Sequence, residues 1–147
     1  MLTTKSDSIW NGDLKSGNGT MNLGSGICSV EYSFASRFEG NNHTNPEELL
    51  GAAHAGCYSM ALSNELAQAG FTPNSVKTSA EVTFGVTDDG PMITSIALST
   101  VAEVPDIEEE TFMKYANGAK EHCPVSKALA GTEIKLISAE LVAAKVS

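Results

Sequence analysis

Three cysteines, one arginine and three histidines carry most of the reactive chemistry available to this 147-residue chain. Cys57 stands within NPEELLGAAHAGCYSMALSNELAQAGF, on a run without Asp, Glu, Lys or Arg between Glu48 and Glu65, where only His54 could carry charge near neutral pH besides the thiol. Small residues at positions 51, 52, 53, 55 and 56 let neighbouring backbone come close. A thiol in such a setting is either a small core hydrophobe, since free cysteine is among the most buried residue types, or a nucleophile tuned by its surroundings. Cys123 precedes Pro124 in EHCPVSK. A cysteine entering a helix faces unpaired N–H groups and the positive end of the dipole, which favours thiolate. An incidental cysteine at a helix start is the alternative. Cys28 has no such context and reads as incidental.

Arg37 is a lone arginine beside eight lysines. Its plain role is a surface charge. Its chemical role would be to hold a thiolate, because guanidinium stays charged, tolerates burial better than ammonium and presents a fixed fork of donors. Glu47 and Glu48 suit the first turn of a helix, and one of them could orient the arginine. His54 and Cys57 share a helix face three residues apart, and His122 adjoins Cys123, so a zinc site of His54, Cys57, His122 and Cys123 is a rival reading. Adjacent residues rarely both reach one ion, and no C-x-x-C pair is present. His54 reads as a packing histidine. No triad or oxyanion-hole signature accompanies a Cys–His nucleophile pair.

The elements that must position these residues follow from patterning. SIW, NGTMNL and YSFASRF read as short strands separated by turns, and EGNNHTN as a polar loop. Asn45 as N-cap, Pro46 at the first helical position and two glutamates in the first turn predict a helix from Pro46 to Ala69, ended by Gly70. VKTSAEVTFGV alternates, with Val76, Ala80, Val82, Phe84 and Val86 on one face, and forms a hairpin with MITSIALSTVAEV across TDDGP. A capping-box pattern of Asp106 and Glu109 opens an amphipathic helix with Phe112, Tyr115 and Ala119 on one face. CPVSKALAG is a short helix and TEIKLISAELVAA a closing strand. Strands broken by helices indicate an α+β fold in a single domain spanning residues 1–147. The long helix is apolar nearly all round and must be covered on every side, which points to a dimer.

Net charge of −9 argues against nucleic acid and anionic membrane surfaces as partners. The longest uncharged run is too short and polar to span a bilayer. The opening MLTTKSDSIWNG lacks the apolar segment of a signal peptide, so a cytoplasmic location is expected, with free or catalytic thiols rather than a disulfide framework.

Taken together, RFEG, TNPEELLGAAHAGCYSMALSNELAQAGFTP and CPVSKAL, with the opening WNGDLKSGNGT, resemble the OsmC/Ohr family of thiol-dependent hydroperoxide reductases, the OsmC branch in particular. The resemblance covers nearly the whole chain. It implies antiparallel sheets wrapped around long central helices in an intertwined homodimer. It implies a peroxidase of organic hydroperoxides and hydrogen peroxide, acting in oxidative and osmotic stress defence. Cys57 corresponds to the peroxidatic residue, Cys123 to the resolving residue, and Arg37 with Glu47 to the activating pair. Cys57 would become a sulfenic acid, condense with Cys123 to a disulfide and be restored by a dithiol of lipoyl type. No bound cofactor or metal is implied.

The two lines of reasoning differ on one point. Helix-dipole logic makes Cys123 the more acidic thiol, whereas the resemblance makes Cys57 the attacker. A mid-helix cysteine gains nothing from a helix end, so its activation falls to Arg37. Glu47 also stands ten residues before Cys57, about 15 Å along one straight helix. Either the helix starts after Glu47 and the loop folds back, or a second chain completes the site. Besides the zinc module, a catalytically idle dimer that binds an apolar ligand is the remaining rival.

Overall fold

The computed structural model describes residues 1–40 and 42–143. It comprises two compact units, residues 1–49 and 50–147. Asn41, within the predicted polar loop, and Ala144, the predicted end of the last strand, lie outside the described residues.

In the first unit, β1 (Ser6–Asn11), β2 (Asn18–Leu23) and β3 (Ser29–Ser33) form an antiparallel meander in that order. Trp10 and Tyr32 both pair with Gly19 on the middle strand and so stand on one face, their ring centroids 5.3 Å apart. Glycine is required there, because a Cβ at position 19 would lie 2.7 Å from an atom of each ring. The predicted strand YSFASRF is cut short after Ser33. Phe34–Phe38 instead forms a helical turn, α1. The cause is local: the Ser33 hydroxyl accepts from the Ser36 N–H at 3.1 Å, and the Ser36 hydroxyl accepts from the Ser33 N–H at 2.8 Å. This reciprocal box satisfies donors that a strand edge would have used. The turn stacks Phe34 on Phe38 and puts Arg37 in its last turn.

The long helix, α2, runs from Pro46 to Gln68. Asn45 caps it, its side-chain oxygen accepting from the Glu48 N–H at 2.8 Å. At the far end Gly70 takes φ +94°, and the Phe71 N–H closes on the Leu66 carbonyl at 2.9 Å, so the chain leaves the helix through a left-handed residue.

In the second unit, β4 (Ser75–Thr87) and β5 (Gly90–Glu103) form the expected hairpin, and β6 (Glu133–Val142) joins beyond β5. The β5–β6 pair is parallel, so this sheet is mixed rather than antiparallel. Between the two strands lie α3 (Glu109–His122) and α4 (Pro124–Ala128). That long connection is what a parallel pair requires, whereas a tight turn would force antiparallel pairing. The register shifts between Thr83 and Phe84, where the pairing skips Thr94 of β5, and near the hairpin end of β4 Val86 is 73 % exposed rather than inward. The expected capping box of α3 is absent: Glu108 is the N-cap with no side-chain bond, and Asp106 takes φ +63° in the preceding turn.

The core of this unit joins Tyr58, Leu62 and Leu66, at four-residue spacing on α2, to Ile96, Leu98 and Ala102 of β5 and Phe112 and Ala119 of α3. The Tyr58 hydroxyl donates to the Ala116 carbonyl at 2.8 Å, and the Ser59 hydroxyl to Thr78 Oγ1 at 2.7 Å, which fixes α2 in rotation. Ala53, Gly56, Met60, Asn64 and Ala67 form an exposed stripe on the same helix, with Met60 76 % exposed. Among the described residues no helix is long and apolar enough to cross a membrane.

Candidate active site

Rotation of α2 decides where its reactive side chains lie. The core face carries His54 and Tyr58, one turn apart, and both are fully buried. Cys57, next to Tyr58, is only partly buried. Pro124 starts α4 at its first position with Cys123 as N-cap, and Cys123 is fully buried. The two thiols are near enough that each alters the other's ionisation, and the Val125 N–H favours the charged form of Cys57. The structure thus brings together two cysteines 66 positions apart in sequence.

Their environments differ. Burial raises the Cys57 thiol above its ordinary pKa, the neighbouring Cys123 adds to this, and the Val125 N–H only partly offsets it. Burial also pushes Cys123 upward, but Cys57, the Ser126 N–H and hydroxyl and the Val125 N–H outweigh it and lower that thiol. These are polar contacts to a large, soft sulfur, and the side chain closes no regular capping bond. Within one chain the local contacts thus favour charge on Cys123 and oppose it on Cys57. Access runs the other way, because Cys57 is the member of the pair that solvent reaches.

Ser126, three residues beyond Cys123, escaped the sequence reading. Its hydroxyl lies 2.7 Å from His54 Nε2, in a buried contact. The signal was present as paired spacing: histidine three before one cysteine and serine three after the other. Burial lowers the His54 pKa and keeps the ring neutral.

Arg37 and Glu47 meet within the first unit. Arg37 Nε and Nη2 both donate to Glu47 Oε1, at 3.0 and 2.7 Å. Glu47 is 6 % exposed. The Asn45 side-chain amide donates to the Ser36 carbonyl at 3.0 Å, tying the start of α2 to the turn that carries Arg37. Beside this pair lies a cavity of about 390 Å³ lined by Trp10, Leu14, Tyr32, Phe34, Phe38 and Arg37. An aromatic wall with one fixed cation suits an apolar molecule that carries a polar end.

The zinc reading does not assemble. His122 Nδ1 is engaged by Glu65 Oε1 at 2.7 Å, and among the described residues no group of three or more His, Cys, Asp or Glu is arranged to hold an ion. Cys28 is exposed.

A family profile described as OsmC-like protein matches residues 39–137. The chain belongs to the OsmC family. Within that family it is 49 % identical over 126 residues to peroxiredoxin OsmC of Escherichia coli (strain K12), covering 85 % of this chain and 88 % of the relative. It is 30 % identical over 102 residues to the organic hydroperoxide resistance protein OhrB of Bacillus subtilis (strain 168), covering 67 % and 71 %. Its fold matches that of an organic hydroperoxide resistance protein from Elizabethkingia anophelis with a TM-score of 0.74, at 22 % identity, over 97 % of this chain and 98 % of the other. The α+β OsmC fold inferred from motifs and patterning is thus the fold observed.

Proposed function

We propose that this OsmC-family enzyme reduces hydroperoxides through a sulfenic acid at Cys57, which Cys123 resolves as a disulfide. Its relatives named above are a peroxiredoxin and an organic hydroperoxide resistance protein, and the chain is a thiol peroxidase of the same kind. The observation that carries the two-cysteine mechanism is that a reachable Cys57 and a fully buried Cys123 are near enough to alter each other's ionisation. The attacker must meet the peroxide, whereas the resolving thiol needs only to meet the sulfenic sulfur. Cys57 thiolate attacks one peroxide oxygen, the O–O bond breaks, and the second oxygen leaves as alcohol or water after protonation. Condensation with Cys123 releases water, and an external dithiol, of lipoyl type by family resemblance, regenerates both thiols by exchange.

The surroundings of Cys57 within its own unit raise its pKa, so ionisation calls for a cation. Arg37, clamped by Glu47, is the cation assigned to this task. The helix α2 begins at Pro46, so Glu47 lies in its first turn. The arginine pair of one protomer is assigned to Cys57 of a second, in a homodimer of single-domain chains. The exposed stripe of Ala53, Gly56, Met60, Asn64 and Ala67 supports such a pairing, since its small residues let helices approach closely. In that arrangement the aromatic cavity beside Arg37 receives the organic part of the peroxide, which favours alkyl over hydrogen peroxide.

The deciding assay is peroxide consumption with dihydrolipoamide as reductant, comparing an alkyl hydroperoxide with hydrogen peroxide. Turnover is expected with both and faster with the alkyl form. No consumption of either peroxide with this or another dithiol would refute the function. Assembly has its own measurement: unfolding coupled to dissociation gives a midpoint that rises with protein concentration. A stable monomer in sedimentation at micromolar concentration would remove the cross-protomer site.

A further inference from the structure

The short helix that opens at Cys123 is anchored through a hydroxyl. Within α4 only Ser126 is buried, so the enclosed contact of this helix is polar. Ser126 Oγ lies 2.7 Å from Nε2 of His54, which is fully buried on α2. Neutral imidazole carries one proton, on either nitrogen. His54 Nδ1 is buried and has no hydrogen-bond partner among the described residues. A proton there would be a donor with nothing to receive it, so the proton sits on Nε2 and His54 donates to Ser126. Helix spacing gives this bond a place in the chemistry. His54 stands three residues before Cys57, one turn away on the same side of α2. Cys123 is the N-cap of α4 and Ser126 its third residue, two positions that adjoin at a helix start. The Cys123 N–H closes α3 on the Ala119 carbonyl at 3.0 Å, and the Cys123 carbonyl accepts from the Lys127 N–H at 3.0 Å, so Cys123 is the joint between the two helices. A bond that fixes α4 against α2 therefore fixes Cys123 against the turn that ends in Cys57.

We propose that the His54–Ser126 bond is a strut that holds Cys123 in place for the resolving step, and that these two positioning residues thereby set how much peroxide the enzyme withstands before Cys57 is over-oxidised. The inference rests on the reading of Cys57 as the peroxide's target. Two reactions compete for the Cys57 sulfenic acid. In resolution the Cys123 sulfur bonds to the Cys57 sulfur, the S–O bond breaks, and the hydroxyl leaves with the Cys123 proton as one water. In over-oxidation a second hydroperoxide gives one oxygen to the sulfenic sulfur. Its O–O bond breaks, it departs reduced as the alcohol, and Cys57 is oxidised to sulfinic acid. The first rate depends on where Cys123 is held, the second on peroxide concentration. A strut that keeps Cys123 beside the Cys57 turn favours the first, because a prepaid geometry makes the step effectively unimolecular.

A single turnover with one equivalent of alkyl hydroperoxide, quenched at intervals with a sulfenic-acid reagent and read by mass spectrometry, gives the rate of disulfide formation. The sulfinic acid that accumulates during turnover with dihydrolipoamide at rising peroxide gives the competition. Ser126→Ala and His54→Leu should each form the disulfide about 10-fold more slowly, the worth of one hydrogen bond, and reach half over-oxidation at about one-tenth of the wild-type peroxide concentration. The double variant separates positioning from support of the fold. It removes both polar partners, leaves no buried donor unsatisfied at this pair, and should unfold nearer the wild-type midpoint than either single variant. Its disulfide formation should stay about 10-fold slow and not fall about 100-fold, because one shared bond is lost however it is broken. Ser126→Thr keeps the acceptor and His54→Gln keeps a donor, and both should recover much of the rate. Disulfide formation at the wild-type rate in Ser126→Ala overturns this inference alone. So does a double variant that recovers rate and midpoint together, one that loses its folding transition, or one slowed by the product of the single effects. A sulfenic acid trapped on Cys123 overturns the assignment of the attacker, and this inference with it.

Discussion

Cys57→Ser protein is expected to consume no peroxide and to form neither a sulfenic acid nor an internal disulfide. Cys123→Ser protein is expected to consume one equivalent per chain and then stop. The asymmetry comes from access and proximity. Peroxide reaches the partly exposed Cys57 sulfur, while Cys123 is fully buried behind it. Without Cys123 the sulfenic acid has no internal partner, so it persists, is trapped, or oxidises further to sulfinic acid that thiols do not restore. Wild-type protein should lose two thiols per chain, leaving the exposed Cys28 reduced. Exposure and reactivity are thus pulled apart, because Cys28 is the most exposed thiol of the three but has no partner sulfur in contact. Mass spectrometry of both variants after one equivalent of peroxide gives the answer. If acidity within the chain governed attack, the pattern would reverse: Cys123→Ser would be inert and Cys57→Ser would carry the sulfenic acid.

The helix that carries Cys57 was fully legible, because each of its signals is local. Asn45, Pro46 and the two glutamates mark its start, Gly70 its end, and the observed bounds differ from those expected by one residue. Short segments were harder to read. YSFASRF alternates well enough for a strand, but two serine hydroxyls capture the N–H groups at its centre and wind Phe34–Phe38 into a turn. That turn matters, because it carries Arg37 to the Glu47 carboxylate. Alternation in β4 assigned Val86 to the inner face, but it lies exposed near the hairpin end, beyond a shift in pairing where Thr94 of β5 is skipped. Such a shift has no residue signature of its own in this stretch, so periodicity could not reveal it. The direction of β6 depends on the helical connection from β5, which is a property of topology rather than composition.

The candidate site divides in the same way. Cys57 and Cys123 could be singled out from their flanks, but their proximity required the resemblance as a guide, since nothing in the residues between them measures the distance. His54 was correctly read as a packing histidine in the sense that it is buried. The Ser126 hydroxyl facing it went unread, because a contact across 72 positions leaves no periodic trace. The helix-dipole argument for Cys123 concerns acidity alone and says nothing about which sulfur solvent can reach.

Arg37→Ala is expected to slow peroxide reduction at pH 7 by about 10- to 100-fold, the range set by a close cation lowering a thiol pKa by about 1–2 units. The sign follows from the surroundings. Burial and the adjacent Cys123 raise the Cys57 pKa, so without a cation the thiolate is scarce at neutral pH and its fraction grows as the pH rises. The variant's rate should therefore climb through the alkaline range, where the wild type has already levelled off. Arg37→Lys should recover part of the rate, since a point charge lacks the fork whose Nε and Nη2 both grip Glu47 Oε1. An alkylation-against-pH curve for Cys57 that is identical in wild type and Arg37→Ala would remove the arginine from the mechanism. Mixed dimers then decide which protomer's arginine acts. A dimer of one Arg37→Ala chain and one Cys57→Ser chain retains one intact site if the pair acts across the interface, because the surviving Cys57 faces the surviving Arg37. If the pair acts within a chain, that dimer has Cys57 and Arg37 on different subunits and no intact site. Co-expression of the two variants under separate tags, followed by tandem purification, should yield heterodimers with about half the wild-type activity, because one site in two remains, each ionised as in the parent. Activity no higher than that of the Arg37→Ala homodimer would place arginine and thiol in the same protomer.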